Sequence, residues 1–336
     1  MKNLLLLVCS SLLIFLAAEG VARLFFPQWA PRAGRMTQFW KYDSRYGWSN
    51  VPNAKGAFQS FGFDTDVTIN ARGFRGPMIP YERTPGKKRV EVLGDSYVWG
   101  YGVNENEMFT SVLPGYLGGA EVVNLGVTGY STDQELLVYE DEGYKYNADA
   151  VVLVFCMNDV DGNTASVQYA TYEKPLFVLD HDQLRLENEP VKRSSIWKRG
   201  LVALTSHSYV INTAYRVLAE AALKSKPQLQ QQSSADNVFP ASPGDQLTAR
   251  LMLEFQRAVA EKQPNAKFLV VLVDDMAQKY AHEVINYLAR YHIEAMALGD
   301  HLSHGDKSLH LPDENHWSAS GNRVVAKSIA DFVAAH

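Results

Sequence analysis

The chain has 336 residues, of which 46% are hydrophobic, and a formal net charge of -5. This length can bury a full-sized core in one large or two modest domains, and the mild negative charge argues against a dedicated nucleic-acid-binding protein. Cys9 lies in an apolar N-terminal run and Cys156 in an apolar segment typical of a buried strand. We therefore expect neither a structural disulfide nor a reactive thiol.

The N-terminus has the pattern of an export signal or a membrane anchor. A basic start precedes the apolar run 4–18, which is shorter than the roughly 20 residues of a spanning helix. If Glu19 and Arg23 pair one turn apart, the helix can continue to the end of segment 1–26 and contact the membrane through residues 4–26. A cleaved signal is the alternative. The arginines that follow the apolar run argue, by the positive-inside rule, for the opposite orientation, with the rest of the protein in the cytoplasm. We expect an uncleaved anchor that holds the rest of the protein outside the cytoplasm.

An aromatic-rich and turn-rich extension follows at 27–84. Within it, 66–70 has the composition of a strand, and Arg72 and Arg75 flank a glycine in a predicted tight loop. The two arginines could reach an anionic substrate group. Contacts with backbone carbonyl groups are the more common use of such a pair, and we expect that use here.

The segment 88–93 is β-branched and alternating, which predicts a strand. Gly94 permits a sharp turn after it, and this turn places Ser96 at the carboxyl end of the strand, where open α/β sheets bind their ligands. A Gly-Asp-Ser sequence is also an ordinary turn and helix start. The local pattern alone does not separate the two interpretations.

Two further apolar segments predict neighbouring strands. The segment 121–125 runs into a loop that contains Gly126 and Gly129, and 149–157 ends at Asn158. The backbone N–H groups of Ser96 and Gly129 and the amide of Asn158 are suitable donors to the oxygen that becomes negative during acyl transfer. A simple turn at Gly129 and a helix cap at Asn158 are the structural alternatives.

The region 162–245 interrupts this pattern and is expected to be an insertion. It contains a predicted hairpin at 177–186, a helix at 197–223 and a linker at 226–244 that is rich in Pro, Gln, Ser and Ala. The helix could contact a membrane, because it begins with Trp197 and two basic residues. Packing as a lid on the core is the expectation that we favour.

Alternating strands and helices resume after the insertion, with a predicted helix at 246–261, a strand at 266–273, a further helix that runs through 289, a strand at 293–298 and a terminal helix ending near 333. The pattern predicts a three-layer α/β/α sandwich with a mainly parallel five-stranded sheet, whose core spans 85–161 and 246–336. Asp274 and Asp275 follow one of these strands, where they could bind substrate or cap the next helix. We expect capping.

Asp313 and His316 lie three residues apart in an irregular segment, so that both side chains can point into one cleft. A histidine can accept and return a proton near neutral pH, and a carboxylate can hold its tautomer. A metal site is the rival interpretation, because the stretch is rich in histidine and carboxylate. Its candidate ligands, which fit no strong zinc spacing, are His301, His304, His310, His316, Asp300, Asp306 and Asp313.

In this order the four segments resemble the SGNH (GDSL-type) hydrolase family, from about residue 90 to the C-terminus except for the insertion. The resemblance implies an SGNH or flavodoxin-like fold. It also implies that Ser96 is the nucleophile, that His316 is the general base and then acid, and that Asp313 orients His316. The implied oxyanion hole consists of the N–H groups of Ser96 and Gly129 and the Asn158 amide.

Two details of the resemblance concern single positions. Gly126 competes with Gly129 for the glycine of the second block, and Gly129 aligns better with the family pattern. Tyr97 stands where many members carry leucine, which we expect to change packing beside the nucleophile more than the chemistry.

The expected activity is that of an extracytoplasmic serine esterase that works through an acyl-enzyme, without a cofactor or a metal. The compartment suggests an ester of a small molecule or polysaccharide as substrate, such as acylated carbohydrate or envelope lipid. One alternative is an O-acyltransferase that modifies a cell-envelope polysaccharide with the same triad. A non-catalytic carbohydrate-binding module is the other, and it would predict a broken triad.

Overall fold

The computed structural model describes residues 2–26, 29, 31, 38–60, 62–168, 172–181, 183–225, 239–302, 306–312 and 315–336. The protein begins with one continuous helix, α1 (Lys2–Phe25), which runs past the end of the uninterrupted apolar segment. A helix of 24 residues extends over about 36 Å, and a bilayer core is about 30 Å thick. Within the described ranges, α1 is the helix that is long and apolar enough to cross a membrane. By length and composition it fits either an anchor or an export signal.

The N-terminal extension forms two small antiparallel hairpins. In the first, β1 (Trp40–Asp43) pairs with β2 (Gly47–Asn50), and in the second, β3 (Lys55–Ser60) pairs with β4 (Phe63–Thr68). The strand expected at 66–70 overlaps β4 at 66–68, and its last two residues lie beyond the end of β4. The sequence pattern does not predict the other strands, because they are short and carry polar or glycine residues.

The first half of the core supplies three parallel strands, β5 (Arg89–Gly94), β6 (Glu121–Asn124) and β7 (Ala150–Phe155). Every residue of β5 and β7 is buried, as a parallel sheet covered on both faces requires. The helices of this half are α2 (Ser96–Trp99), α3 (Phe109–Tyr116), α4 (Thr132–Asp141) and α5 (Asn158–Thr164). All three predicted strands are therefore present.

The insertion begins with two short antiparallel pairs, β8 (Val167–Gln168) with β9 (Tyr172–Glu173) and β10 (Leu176–Asp180) with β11 (Gln183–Glu187). The second pair is the hairpin expected at 177–186.

The single helix expected at 197–223 is two helices, α6 (Ile196–His207) and α7 (Tyr209–Ser225), which are separated at Ser208. No side chain of α6 is buried, so this helix does not pack on the core as the expected lid. Of the predicted linker, 226–238 lies outside the described residues, and its last residues already belong to the next helix.

The second half of the core completes the sheet. It contains α8 (Pro243–Lys262), β12 (Lys267–Leu272), α9 (Gln278–Ala289), β13 (Glu294–Ala297) and α10 (Ala319–Ala335). The strands lie in the order β13-β12-β7-β5-β6, and all neighbours are parallel. Apolar side chains of α4, α8 and α9 cover one face, and those of α3 and α10 cover the other. The expected three-layer α/β/α sandwich is confirmed.

Candidate active site

The end of β5 leads directly into a single turn of helix. A side chain at Gly94 would collide with Val98 and approach the Val154 carbonyl oxygen at 3.1 Å, so the close turn requires glycine. Asp95 caps α2, because its Oδ1 accepts a hydrogen bond from the Tyr97 N–H at 3.0 Å. Ser96 is the first residue of α2 and lies at the carboxyl end of β5, with 7% of its surface exposed.

The segment before α10 brings His316 to this serine. The distance between Ser96 Oγ and His316 Nε2 is 2.7 Å, a normal hydrogen bond between groups 220 residues apart in the chain. The segment is held from both sides: the Leu311 N–H donates to the His316 carbonyl at 2.8 Å, and the Tyr97 hydroxyl donates to the Asn315 carbonyl at 3.1 Å. Asp313, the expected third member, lies outside the described residues.

Two tyrosines flank the imidazole. The Tyr101 ring is stacked on the His316 ring with centroids 4.2 Å apart and planes inclined by 24°. Tyr97 lies at 4.9 Å from the same ring and also contacts Trp317. The sequence motifs do not predict this stacking, although Tyr97 is an unusual residue beside the nucleophile.

Asn158, at the start of α5, shares a partner with the serine. Its Nδ2 donates to Asp95 Oδ2 at 3.4 Å, and Ser96 Oγ lies 3.3 Å from the same oxygen. The amide is therefore beside Ser96, as the order of the motifs predicts. Asn158 does not act as the N-cap of α5, since Met157 occupies that position.

The two glycines of the β6–α4 loop differ in their surroundings. A side chain on Gly126 would lie 2.5 Å from the Trp99 backbone nitrogen, so this glycine is required for close packing on α2. Gly129 has a φ of 80°, which favours glycine, and follows Thr128, whose carbonyl accepts a hydrogen bond from the Trp48 indole at 3.1 Å. The N-terminal extension thus supports the loop that contains Gly129.

Asp274 and Asp275 do not cap α9 as expected. The N-cap position of α9 is Ala277, and no side chain caps it. Asp274 accepts hydrogen bonds from His310 Nε2 at 2.9 Å and from Trp317 Nε1 at 2.8 Å, and it thereby holds both sides of the His316 segment. Asp275 accepts from the Cys156 thiol at 3.0 Å and from the Met157 N–H at 3.3 Å. These long-range partners satisfy the carboxylates in place of the adjacent helix.

A group of buried carboxyl groups lies behind the serine. Burial raises the pKa of Asp95, Glu135 and Asp159, and a neighbouring carboxyl group raises each pKa further: Asp275 acts on Asp95, Asp159 on Glu135 and Asp95 on Asp159. Asp133 forms a fully buried ion pair with Lys174 at 2.8 Å, and burial still raises its pKa to about 6. Burial therefore favours the neutral forms of these acids. The acidic residues at the start of α4 are the one feature of the sequence that indicates these buried carboxyl groups.

The described members of the suggested metal set are separated. His310 binds Asp274, and Asp300 accepts a hydrogen bond from His282 Nε2 at 2.8 Å. In the part of the chain that the structure describes, no group of three or more His, Cys, Asp or Glu side chains is arranged to hold a metal ion. His304 and Asp313 lie outside that part.

Arg72 and Arg75 contact backbone rather than the site. Arg75 is buried, and its guanidinium donates to the carbonyl oxygens of Gly100 and Val103. Arg72 donates to the Ile79 carbonyl at 2.5 Å and lies over the Tyr81 ring. Both arginines therefore donate to backbone carbonyl groups, as expected from the sequence.

The chain is similar to proteins that act on esters. The sequence model of the GDSL-like lipase/acylhydrolase family matches residues 92–324. A GDSL-like lipase from Bacteroides thetaiotaomicron is 12% identical, with 75% of this chain and 91% of that chain covered and a TM-score of 0.40. A family 2 carbohydrate esterase with a carbohydrate-binding domain from Corynascus thermopiles (Myceliophthora fergusii) is 12% identical, with 78% and 69% covered and a TM-score of 0.41.

A two-domain esterase active on acetylated mannans is also 12% identical, with 74% of this chain and 49% of that chain covered and a TM-score of 0.40. No curated protein shows significant similarity to the chain. The family match extends from strand β5 into the terminal helix and includes both Ser96 and His316. The chain therefore belongs to the GDSL-like lipase/acylhydrolase family and is an ester hydrolase.

Proposed function

We propose that the protein is an extracytoplasmic serine esterase in which Ser96 is the nucleophile and His316 the general base. The observation that carries this proposal is the 2.7 Å distance between Ser96 Oγ and His316 Nε2. A base at this distance can remove the hydroxyl proton as the oxygen attacks a carbonyl carbon. Asp313 is the proposed orienting carboxylate.

The reaction has two halves. In the first, Ser96 Oγ forms a bond to the ester carbonyl carbon while its proton moves to His316 Nε2. The tetrahedral intermediate then expels the alcohol, which takes that proton, and an acyl-enzyme remains. In the second half, water loses a proton to His316, attacks the acyl-enzyme and releases the acid, and the proton returns to Ser96 Oγ.

The oxyanion of each tetrahedral intermediate needs donors that are fixed before the reaction. We propose the N–H groups of Ser96 and Gly129 and the side-chain amide of Asn158. Ser96 opens α2 and Asn158 opens α5, and both residues contact the same Asp95 carboxylate. Such fixed donors typically contribute about 2.7–4 kcal/mol each to transition-state stabilisation.

The proposed substrate is an acylated carbohydrate or an envelope lipid, reached from the outer side of a membrane that α1 crosses. The support for this location is the length and apolar composition of α1. In this arrangement residues 1–26 are the anchor, 27–84 the extension, 85–161 and 246–336 the hydrolase core and 162–245 the insertion.

The full chain in detergent should react with a fluorophosphonate probe and hydrolyse p-nitrophenyl acetate. Ser96→Ala should prevent labelling and lower kcat by at least about 10⁴-fold, because the nucleophile is removed. Ser111→Ala, which changes a serine on α3 outside the site, is the matched control and should retain both activities. Labelling that persists in Ser96→Ala at the wild-type rate would assign the nucleophile to another residue.

A further inference from the structure

A second concave site lies away from Ser96. It is a cavity of about 280 Å³ between the β1–β2 hairpin, β9 and α6. Aromatic side chains of Trp40, Tyr42 and Tyr172 form part of its wall. The cationic side chains that line it are Lys41, Lys192, Arg193, Lys198 and Arg199.

The charge of this cavity is unbalanced. Glu173 is the one carboxylate among its described lining residues, and it is already paired with Lys198 at 2.8 Å. Arg193 lies over the Tyr42 ring at 5.8 Å. Lys41, Lys192 and Arg199 make no ion pair with any described residue. Because like charges repel, a bound anion would stabilise this arrangement, although the chain as a whole is acidic.

The cavity lies next to the end of the apolar helix. His207 lines it, and the His207 carbonyl accepts a hydrogen bond from Arg23 Nη2 of α1 at 2.7 Å. One turn earlier, Glu19 of α1 accepts from the Ser208 hydroxyl at 2.8 Å and from the Tyr209 N–H at 3.0 Å. The charged end of α1 is therefore attached to the wall of the cavity, and a bilayer crossed by α1 would have its surface there.

The other face of α6 is apolar and exposed. Trp197 is 87% exposed, Leu204 57% and Leu201 39%. These three positions fall on one side of a helix with 3.6 residues per turn, whereas Arg199 and Val202 face the cavity. A helix with a tryptophan and leucines on one side and basic residues on the other is typical of helices that lie in a membrane interface.

We propose that the cavity binds the phosphate headgroup of an anionic phospholipid in the membrane that α1 crosses. The proposal rests on the membrane anchor of the proposed function. The unpaired cations contact the phosphate, the aromatic wall contacts the glycerol part of the headgroup, and the apolar face of α6 contacts the acyl boundary. The lipid thereby fixes the orientation of the hydrolase core on the membrane.

The test uses the full chain in a non-ionic detergent, titrated calorimetrically with dioctanoyl phosphatidylglycerol or dioctanoyl phosphatidylcholine. We expect saturable binding of the first lipid and none of the second. The double variant Arg193→Gln, Arg199→Gln should weaken phosphatidylglycerol binding by about thirtyfold, as expected for two cations at a lipid phosphate. Lys87→Gln, Lys88→Gln removes the same charge from an exposed loop and should leave the affinity unchanged.

If the Arg193, Arg199 double variant and the wild type bound phosphatidylglycerol with equal affinity, the cavity would not be the lipid-binding site. Glycerol 1-phosphate is titrated in a separate arm, and binding as tight as that of phosphatidylglycerol would replace the lipid by a soluble phosphate compound. Hydrolysis of p-nitrophenyl acetate is measured on the same samples. Lipid selectivity without esterase activity would contradict only the proposed function, and esterase activity without lipid selectivity only the lipid site.

Discussion

The imidazole of His316 contacts two tyrosine rings. The Tyr101 ring is nearly parallel to it, with centroids 4.2 Å apart, and Tyr97 contacts it at 4.9 Å. Aromatic contacts of this kind stabilise by about 0.5–1.5 kcal/mol beyond the buried area. We infer that Tyr101 is a positioning residue that keeps Nε2 within hydrogen-bonding distance of Ser96.

Replacing Tyr101 should therefore change the chemical step. In Tyr101→Ala we expect kcat for p-nitrophenyl acetate to fall by about tenfold to a hundredfold, because a small displacement of a catalytic base is costly. Tyr101→Phe keeps the stacked ring and should retain most of the activity. The melting temperature of each variant serves as a test of folding. If alanine and phenylalanine lower kcat equally, or alanine leaves it unchanged, stacking does not position the base.

The sequence was sufficient to bring Ser96, Asn158 and His316 together, because each follows or precedes an element with a strong pattern. It was not sufficient for Asp274. Its position after a strand favours capping, but its partners are His310 and Trp317, which lie 36 and 43 residues away. A choice between a local and a distant partner depends on tertiary packing, which a local pattern does not contain.

Strand β5 carries two ionisable side chains into the core. Arg89 is fully buried and pairs with Glu121 at 2.6 Å. Glu91 accepts a hydrogen bond from Gln263 Nε2 at 3.2 Å and forms no ion pair with any of the described residues. Burial is the main reason why the pKa of Glu91 is raised from an ordinary value of 4.5 to about 8. At neutral pH this carboxyl group is protonated in the folded protein.

This proton makes stability depend on pH in a defined direction. Between pH 4.5 and about 8 the folded protein keeps the proton on Glu91 and the unfolded chain releases it, so rising pH favours unfolding. The contribution of Glu91 is fully present below 4.5 and is lost as the pH rises through about 8. Glu91→Gln mimics the protonated side chain and should lose this dependence.

Denaturant unfolding of the wild type and of Glu91→Gln, carried out from about pH 5 to about pH 9, measures this pH dependence of stability. As the pH rises, we expect the free energy of unfolding of Glu91→Gln to increase relative to that of the wild type by up to about 1.4 kcal/mol per pH unit. Glu294→Gln, at an exposed position of β13, controls for the loss of a carboxylate. A constant difference between Glu91→Gln and the wild type across the range would mean that Glu91 is ionised in the folded state.

The strands of the central sheet were predictable because buried parallel strands are apolar throughout and stand out from their surroundings. The hairpins of the extension were not, since their strands are short and carry polar or glycine residues. The division between α6 and α7 was also missed. The apolar spacing continues through Ser208, so the sequence pattern does not mark the break there. The Ser208 hydroxyl donates a hydrogen bond to Glu19, which lies 189 residues away in the chain.

In the whole molecule, α1 contacts the insertion through Glu19 and Arg23. Glu19 accepts from the N–H groups of Tyr209 and Val210 at 3.0 and 3.1 Å and thus caps the start of α7. Arg23 donates to the His207 carbonyl at the end of α6. One ion pair on α1 therefore satisfies backbone groups at both ends of the α6–α7 corner.

This connection predicts what Glu19→Ala does. Loss of the carboxylate leaves the N–H groups of Tyr209 and Val210 without their acceptor and breaks the ion pair with Arg23, while Ser208 Oγ still accepts from the Ile211 N–H. A capping interaction typically contributes about 0.5–2 kcal/mol. The α6–α7 corner should then open more often, and trypsin should cut the full chain in detergent faster after Lys198, Arg199 or Arg216. The sites are identified by mass spectrometry.

Glu82→Ala, which removes a carboxylate from an exposed loop, is the control and should be cut at the wild-type rate. Hydrolysis of p-nitrophenyl acetate should be retained in Glu19→Ala, because Ser96 and His316 belong to the core and not to the insertion. Faster cleavage with retained hydrolysis would show that α1 stabilises the insertion independently of the active site. Cleavage of Glu19→Ala at the wild-type rate would mean that the corner is held without the Glu19 contacts of α1.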